Sequence, residues 1–247
     1  MDRRYIDRIY LNQPVPADSY LAALPAVRAL GGRDRPLTFP APVTFLVGEN
    51  GTGKSTLLEA IAVACGFNAE GGTRNFSFST RDTHSPLHRY LTVGRRSYPR
   101  DGFFLRAESF YNMATAIDEA DDDGRLLLYS YGGKSLHQQS HGESFLSLVL
   151  HRLRGHGLYL FDEPEAALSP SRQMALLCAI HNLVQQGSQV LMATHSPILM
   201  SYSGGVIYQL DGSGIRQVAY KDTEHYQLTL RFLLDSDGML KRLLEDG

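Results

Sequence analysis

Gly48-Glu49-Asn50-Gly51-Thr52-Gly53-Lys54-Ser55 is the stretch of this chain whose residue types and spacing point most directly to chemistry. Its glycines free the backbone to curl so that successive N–H groups face one anion, an approach that side chains would obstruct. A helix opening near Lys54 turns its positive end on the same anion. This is the pattern of a phosphate loop: Lys54 would reach the outer phosphates of a nucleoside triphosphate, and the Ser55 hydroxyl would meet Mg²⁺. Gly48, Asn50, Gly51, Gly53, Lys54, Ser55 and Thr56 are therefore expected to hold the nucleotide. A second constellation, Leu158-Tyr159-Leu160-Phe161-Asp162-Glu163-Pro164, puts two carboxylates at the exit of an apolar run. Asp162 is suited to hold Mg²⁺ together with Ser55, and Glu163 to polarise a water for in-line attack on the γ-phosphate. The base-reading Asn-Lys-x-Asp stretch of GTPases does not occur in the sequence, so ATP is the expected nucleotide.

These groups need elements to place them. VTFLV (43–47) has the β-branched and aromatic content of a strand buried on both faces, and GENGTG leads from it into KSTLLEAIAVAC. There Leu57, Leu58, Ile61 and Cys65 recur at helical spacing, and Gly66 ends the run. LYLF (158–161) and QVLMAT (189–194) read as two more buried strands. SFLSLVLHRL and PSRQMALLCAIHNLVQQ read as helices, the second stopped by Gly187. Tyr5 to Leu11 and FFLRAES (103–109) look like further strands, and YNMATAIDEA like a short helix. VIYQL, DGSG and IRQVAY make a hairpin, and a helical tail starts at Gln227. Alternating strands and helices imply an α/β fold on a mostly parallel sheet, whose ligands bind beyond the carboxyl ends of the strands. A single domain over residues 1–247 is expected. It would comprise a β-rich part to about 110, a short helical insert over 109–140, an α/β core over 140–210, and a hairpin with helical tail over 206–247.

Composition sets outer bounds. The chain has 247 residues, 43% hydrophobic and 20% charged, with a net charge of −2, which excludes disordered, collagen-like and coiled-coil classes. Nothing approaches 18 consecutive apolar residues, and MDRRYIDRIY has no leader-like apolar core, so a cytoplasmic protein without a membrane span is expected. Cys65 and Cys178 read as reduced packing residues, and Tyr20 as a packing aromatic with adenine stacking as its alternative. His84/His88 and His137/His141 read as polar loop residues. Residues 71–106 hold seven arginines, Arg74, Arg81, Arg89, Arg95, Arg96, Arg100 and Arg106, against Asp82 and Asp101, a local charge of +5. Phe76, Phe78, Tyr90 and Tyr98 interleave with them. That is either a solvated face with arginines serving ATP and a partner subunit, or a nucleic-acid contact.

Further features fall in order along residues of about 42–210. Ser140-His141-Gly142-Glu143-Ser144 opens a helix 22 positions before Asp162, Ala166-Ala167-Leu168-Ser169 follows the acidic pair, and Ala193-Thr194-His195-Ser196 follows the third strand. With the phosphate loop, the set resembles the ATP-binding cassette (ABC-type) P-loop ATPases: their signature motif, with His141 and Glu143 departing, their D-loop, with Ser169 for aspartate, and their switch histidine. The resemblance implies an ABC-type ATPase domain with antiparallel β elements and a short helical subdomain. It also implies an ATP-dependent homodimer, in which Ser140 and Gly142 of one subunit cap the γ-phosphate held by the other, with His195 sensing that phosphate. The family's glutamine after the strand preceding the helical subdomain is missing, and Arg106-Ala107-Glu108-Ser109 stands there. Either Glu108 substitutes as an oxygen ligand or Arg106 meets phosphate directly. GENGTGKSTLLEAIA and Thr223-Glu224-His225-Tyr226-Gln227-Leu228-Thr229 resemble the recombination-repair and small stand-alone bacterial ATPase branch. The expected function is thus a soluble ATPase that binds MgATP, dimerises around two nucleotides and hydrolyses ATP in genome maintenance or defence. The alternatives are the nucleotide-binding subunit of a membrane transporter and an ATP-gated scaffold with little turnover. Each leaves room for a further protein partner.

Overall fold

A computed structural model describes residues 4–73, 85–110, 115 and 141–245, with the side chain of His141 excepted. Two sheets organise it. The smaller, in the order β2-β1-β4, is antiparallel: β1 (Ile6–Leu11) pairs with both β2 (Leu37–Thr38) and β4 (Leu91–Arg95). The larger runs β5-β6-β7-β3-β8-β9 and comprises β3 (Val43–Val47), β5 (Asp101–Arg106), β6 (Gly157–Asp162), β7 (Gln189–Ala193), β8 (Val206–Asp211) and β9 (Gly214–Val218). Its first five strands pair in parallel, and β9 closes the edge as the antiparallel arm of the Asp-Gly hairpin. The expected α/β class with a mostly parallel sheet is what folds.

Period-two alternation sorts the strand residues between two cores. Val43, Phe45 and Val47 face α3 (His141–Arg152) and α4 (Pro170–Gln185), where Phe145, Leu148, Leu176 and Ile180 are buried. Leu46, Leu160 and Leu191 face α1 (Pro25–Ala29), α2 (Lys54–Ala64) and the small sheet, packing with Leu57, Ile61, Ile6 and Ile9. A sheet covered on both faces has no solvent side, which is why VTFLV and GLYLFD are buried throughout and apolar apart from Thr44 and Asp162. The tail forms α6 (Glu224–Leu234) and α7 (Ser236–Glu245), after the short α5 (Pro197–Met200).

Several details differ from expectation. The strand expected at 103–109 starts two residues earlier and stops at Arg106, because Arg106 is the last residue paired with β6. The tail helix begins at Glu224 rather than Gln227, since the buried Thr223 hydroxyl accepts from Tyr226 N and caps it. Cys178 is exposed, not packed. Tyr20 is 59% exposed, so it is not a packing aromatic. The YNMATAIDEA helix, nearly all of the 109–140 insert, Ser140 and His137 lie outside the described residues, apart from Ser109, Phe110 and Thr115.

Candidate functional site

The phosphate-loop residues connect β3 to α2. Gly48 has φ 147°, and a Cβ there would lie 2.1 Å from the Leu210 carbonyl oxygen of β8, so only glycine lets the loop pass under that strand. Gly51 and Gly53 are also left-handed, at φ 79° and 92°, and Asn50 is exposed at the loop tip. Thr56 sits half-buried in the first turn of α2. Lys54 is 3% exposed and turns its ammonium back on the loop, donating to Gly48 O at 2.8 Å and Glu49 O at 3.0 Å. Burial lowers its pKa, against the opposing pull of Glu163, Asp162 and Glu165.

Sheet register places the acidic pair. Asp162 ends β6 opposite Ala193 of β7 and opposite Arg106 of β5. Its side chain is 4% exposed, and burial pushes its pKa up to about 6 against the Arg106 charge and a hydrogen bond from Ser55. Arg106 gathers three carboxylates: Glu59 of α2 at 2.7 Å, Asp162 at 3.4 Å and Glu108 at 3.5 Å. Glu59 also accepts from Ser85 N at 2.8 Å. Asp162 Oδ1 and Arg106 Nε stay buried with no well-formed hydrogen bond. Ser55, Arg106, Glu108, Asp162, Glu163 and Ala167 line one cleft of about 390 Å³. Glu108 is 84% exposed at its rim, so of the two residues weighed for the missing glutamine, Arg106 is the one beside Asp162.

Glu163 sits at the turn after β6 with φ 49°, a left-handed conformation unusual for a residue with a side chain. Its Oε1 lies 3.6 Å from His195 Nε2. The His195 loop is tied down by Glu165, whose carboxylate accepts from Thr194 Oγ1 at 2.8 Å and from the His195 backbone N–H. Burial raises the Glu165 pKa, and those two donors oppose it. On the other side His195 Nδ1 meets His225 Nε2 of α6 at 3.0 Å. Glu59, Glu165 and His225 are the residues that sequence reasoning missed. Glu165 stands two residues after Glu163 of the recognised pair, whereas His225 is thirty residues from His195 and only the fold brings them together.

Gly142, in the first turn of α3, is wedged against α4 and its approach: a Cβ there would lie 2.6 Å from Arg172 Nη1 and 2.8 Å from the Ala167 carbonyl oxygen. Arg172 also pairs with Glu143 at 3.0 Å. Within the expected signature segment, Gly142 thus packs against Ala167 of the expected D-loop, and Glu143 is tied to α4. Of the arginines in 71–106, Arg106 is in the cleft, Arg96 pairs with Asp7 at 3.1 Å, and Arg95 donates to Ala64 O at 2.7 Å beneath Tyr98. Arg74 and Arg81 lie outside the described residues. Asp101, held low by Arg152 at 3.0 Å, belongs to a separate pair.

The geometry matches known proteins in sequence and in shape. A family model described as "AAA domain" matches residues 26–99, and another, "AAA domain, putative AbiEii toxin, Type IV TA system", matches residues 134–201. The hemin import ATP-binding protein HmuV of Myxococcus xanthus is 31% identical over 193 residues, which cover 68% of this chain and 70% of that protein. The DNA replication and repair protein RecF of Synechococcus sp. is 30% identical over 114 residues, 40% of this chain and 30% of RecF, so the chain spans under a third of that relative. The ADP conformation of an ATP-binding cassette of an ABC transporter superposes with a TM-score of 0.53 at 14% identity, covering 92% of this chain and 99% of that one. Among the described residues no helix is long and apolar enough to cross a membrane. A phosphate loop between β3 and α2, an acidic pair ending β6, a histidine after β7 and the similarity to HmuV over most of both chains make this chain a member of the ABC-type P-loop ATPases.

Proposed function

We propose that the chain acts as one ATPase domain that binds MgATP, closes on a second copy around two nucleotides, and opens after hydrolysis. The observation that carries this reading is the convergence of Ser55, Asp162 and Glu163 on one cleft, with Lys54 and His195 against Glu163. The donor set fits a hard cation: a buried carboxylate oxygen without a well-formed hydrogen bond stands beside a hydroxyl. Ser55 and Asp162 would hold Mg²⁺, which supplies charge neutralisation for the outer phosphates. Lys54, now on loop carbonyls, would exchange them for phosphate oxygens. Glu163 accepts a proton from a water as the water oxygen bonds to Pγ and the bond to the β–γ bridging oxygen breaks, leaving ADP and phosphate. His195 donates from Nε2 to the γ-phosphate. Because Gly142 is held against α4, a second copy would have to present its Ser140 and Gly142 to complete the site.

Glu163→Gln tests the reading. The variant should accumulate a dimer with ATP and Mg²⁺, seen by mass measurement, and lose hydrolysis. A variant that hydrolyses at the parent rate takes the base role from Glu163.

Genome maintenance or defence is the role we favour. It is supported by the likeness to RecF, by the AbiEii description of the second family model, and by the exposed Arg89, Arg95 and Arg100, which suit phosphate backbones. The likeness to HmuV supports the other role, a transporter's ATP-binding subunit. Co-purification with a membrane-spanning partner would favour the transporter.

A further inference from the structure

We propose that His225 is a positioning residue for the ATPase reaction: its Nε2–H donates to His195 Nδ1 and so holds His195 in the tautomer whose Nε2–H faces the outermost phosphate. The proposal rests on the nucleotide reading above, but its geometry stands by itself. His225 is the second residue of α6, and that helix end is anchored. The fully buried Thr223 donates from Oγ1 to Tyr220 O at 2.8 Å and caps Tyr226 N, while Tyr220 and Tyr226 pack ring to ring at 4.7 Å. The His195 backbone is fixed by Glu165. Two anchored backbones thus present two imidazoles edge to face, centroids 5.1 Å apart, with Nδ1 and Nε2 at 3.0 Å.

Between two neutral imidazoles one nitrogen must donate and the other accept. If His195 Nδ1 donated, its bare Nε2 lone pair would face Glu163 Oε1 at 3.6 Å, and a γ-phosphate would meet the same lone pair. If His225 Nε2 donates, His195 carries its proton on Nε2, directed at the anion. Electrostatics selects the second arrangement. His195 Nε2 is buried without a hydrogen-bond partner and faces the Glu163 carboxylate at 3.6 Å, where a proton is favoured over a lone pair. Burial and the nearby Lys54 ammonium lower both pKa values, which favours neutral rings. A histidine that senses phosphate needs its donor in place before phosphate arrives, and His225 supplies that bias from an element far away in sequence.

Imidazole ¹⁵N–¹H correlation spectra of the histidine-labelled full chain test this, with the His195 signal assigned by its loss in His195→Gln. In the parent without nucleotide, His195 should show protonated Nε2 and bare Nδ1. His225→Phe keeps a ring but removes the donor, and should mix the tautomers and lower kcat for ATP about tenfold or more, with KM changed far less. His225→Gln, whose side-chain amide can donate from the same place, should restore the tautomer and most of kcat. A parent His195 protonated on Nδ1, or a His225→Phe protein with unchanged tautomer and kcat, overturns the proposal. The spectra need no turnover, so they decide this proposal even if the hydrolytic reading fails.

A different observation carries an interaction surface. From Leu228 to Leu234 five of seven residues are large and apolar, and all five are exposed, with Leu233 at 73% and Leu234 at 77%. Leu243 and Leu244 on α7 are 65% and 78% exposed. A helix apolar around its circumference belongs in a core. The exposed apolar side chains of α6 and α7 offer on the order of 800 Å² per copy, about what one partner buries in a stable interface. From 228 to 245 three basic and three acidic side chains balance, so nothing selects a charged surface such as a nucleic acid or an anionic membrane. We infer that the exposed apolar side chains of α6 and α7 pack against the same side chains of a second copy. Sedimentation of the Lys54→Ala chain without nucleotide should show a dimer at tens of micromolar, and adding Leu233→Glu and Leu244→Glu should give a monomer of unchanged helix content. A monomer before the glutamates are added, or a dimer after, overturns this, and neither result bears on closure by ATP.

Discussion

Replacing Arg106 with methionine removes the one guanidinium shared by Glu59 and Asp162, which are 5% and 4% exposed, while leaving a side chain of similar reach. Breaking a buried ion pair from one side costs about 3–5 kcal/mol, because the charge left behind keeps its desolvation penalty. Two features lower the figure here. Asp162 already has its pKa raised to about 6, so it can shed its charge by binding a proton. Glu59 keeps its hydrogen bond from Ser85 N. At pH 8, where the proton is costly, a loss of about 3 kcal/mol is expected, or roughly 6–12 °C in melting temperature for a chain of this size. At pH 5.5 Asp162 is largely protonated in the variant and the loss should fall below half of that. The assay is thermal unfolding of the nucleotide-free parent and variant, followed by circular dichroism at both pH values. Mg²⁺ alone should raise the melting temperature of the variant more than that of the parent, since a second cation replaces the first. An equal loss at both pH values, or none at pH 8, would refute the view that Arg106 neutralises this cluster.

Other expectations follow from the same geometry. Because the Asp162 pKa is raised on folding, the folded state binds more protons between pH 3.8 and about 6, so its contribution to nucleotide-free stability should decline as pH rises through that window, which a pH series of denaturant melts on the parent and Asp162→Asn can isolate. Lys54→Ala should abolish ATP binding in equilibrium titration, since it removes the ammonium that would exchange its loop carbonyls for phosphate oxygens. Retained affinity would count against the phosphate-loop reading. Gly142→Val should leave ATP binding intact and lose hydrolysis, because any side chain meets Arg172 and the Ala167 carbonyl and pushes the start of α3 off α4; wild-type turnover would show that this turn has no part in the site.

What could be read from residues alone was what neighbours in sequence build. Strand, glycine loop and helix are contiguous, so Gly48 to Ser55 carried their own context, as did Asp162 and Glu163 at the end of an apolar strand. Cys178 was also legible in principle: Leu176, Ile180 and Leu183 lie along one stripe of α4, and position 178 falls on the opposite side. Arg106 was named as a candidate, but its pairing with Glu59 was not legible, because their meeting depends on β5 pairing with β6 in a particular register and on which side of α2 faces the strand ends. His225 was harder still. Its segment carried a family resemblance but no role, until the fold set its ring beside His195.

That contact changes what the tail can do. His195, its tether Glu165 and its partner His225 come from three separate segments that meet beyond the carboxyl ends of β6 and β7, so a shift of His195 toward a bound phosphate would load the hydrogen bond to α6. The bond can respond in two ways: α6 follows the ring, or the bond lengthens. Thr223, fully buried and bonded on both sides, favours the first, because the cap and its helix move as one body. Taken together, the two proposals above would couple nucleotide state to the packing of α6 and α7 through the His195–His225 contact. Cutting that contact with His225→Phe should uncouple the two, leaving association through α6 and α7 at its nucleotide-free strength whether ATP is present or not.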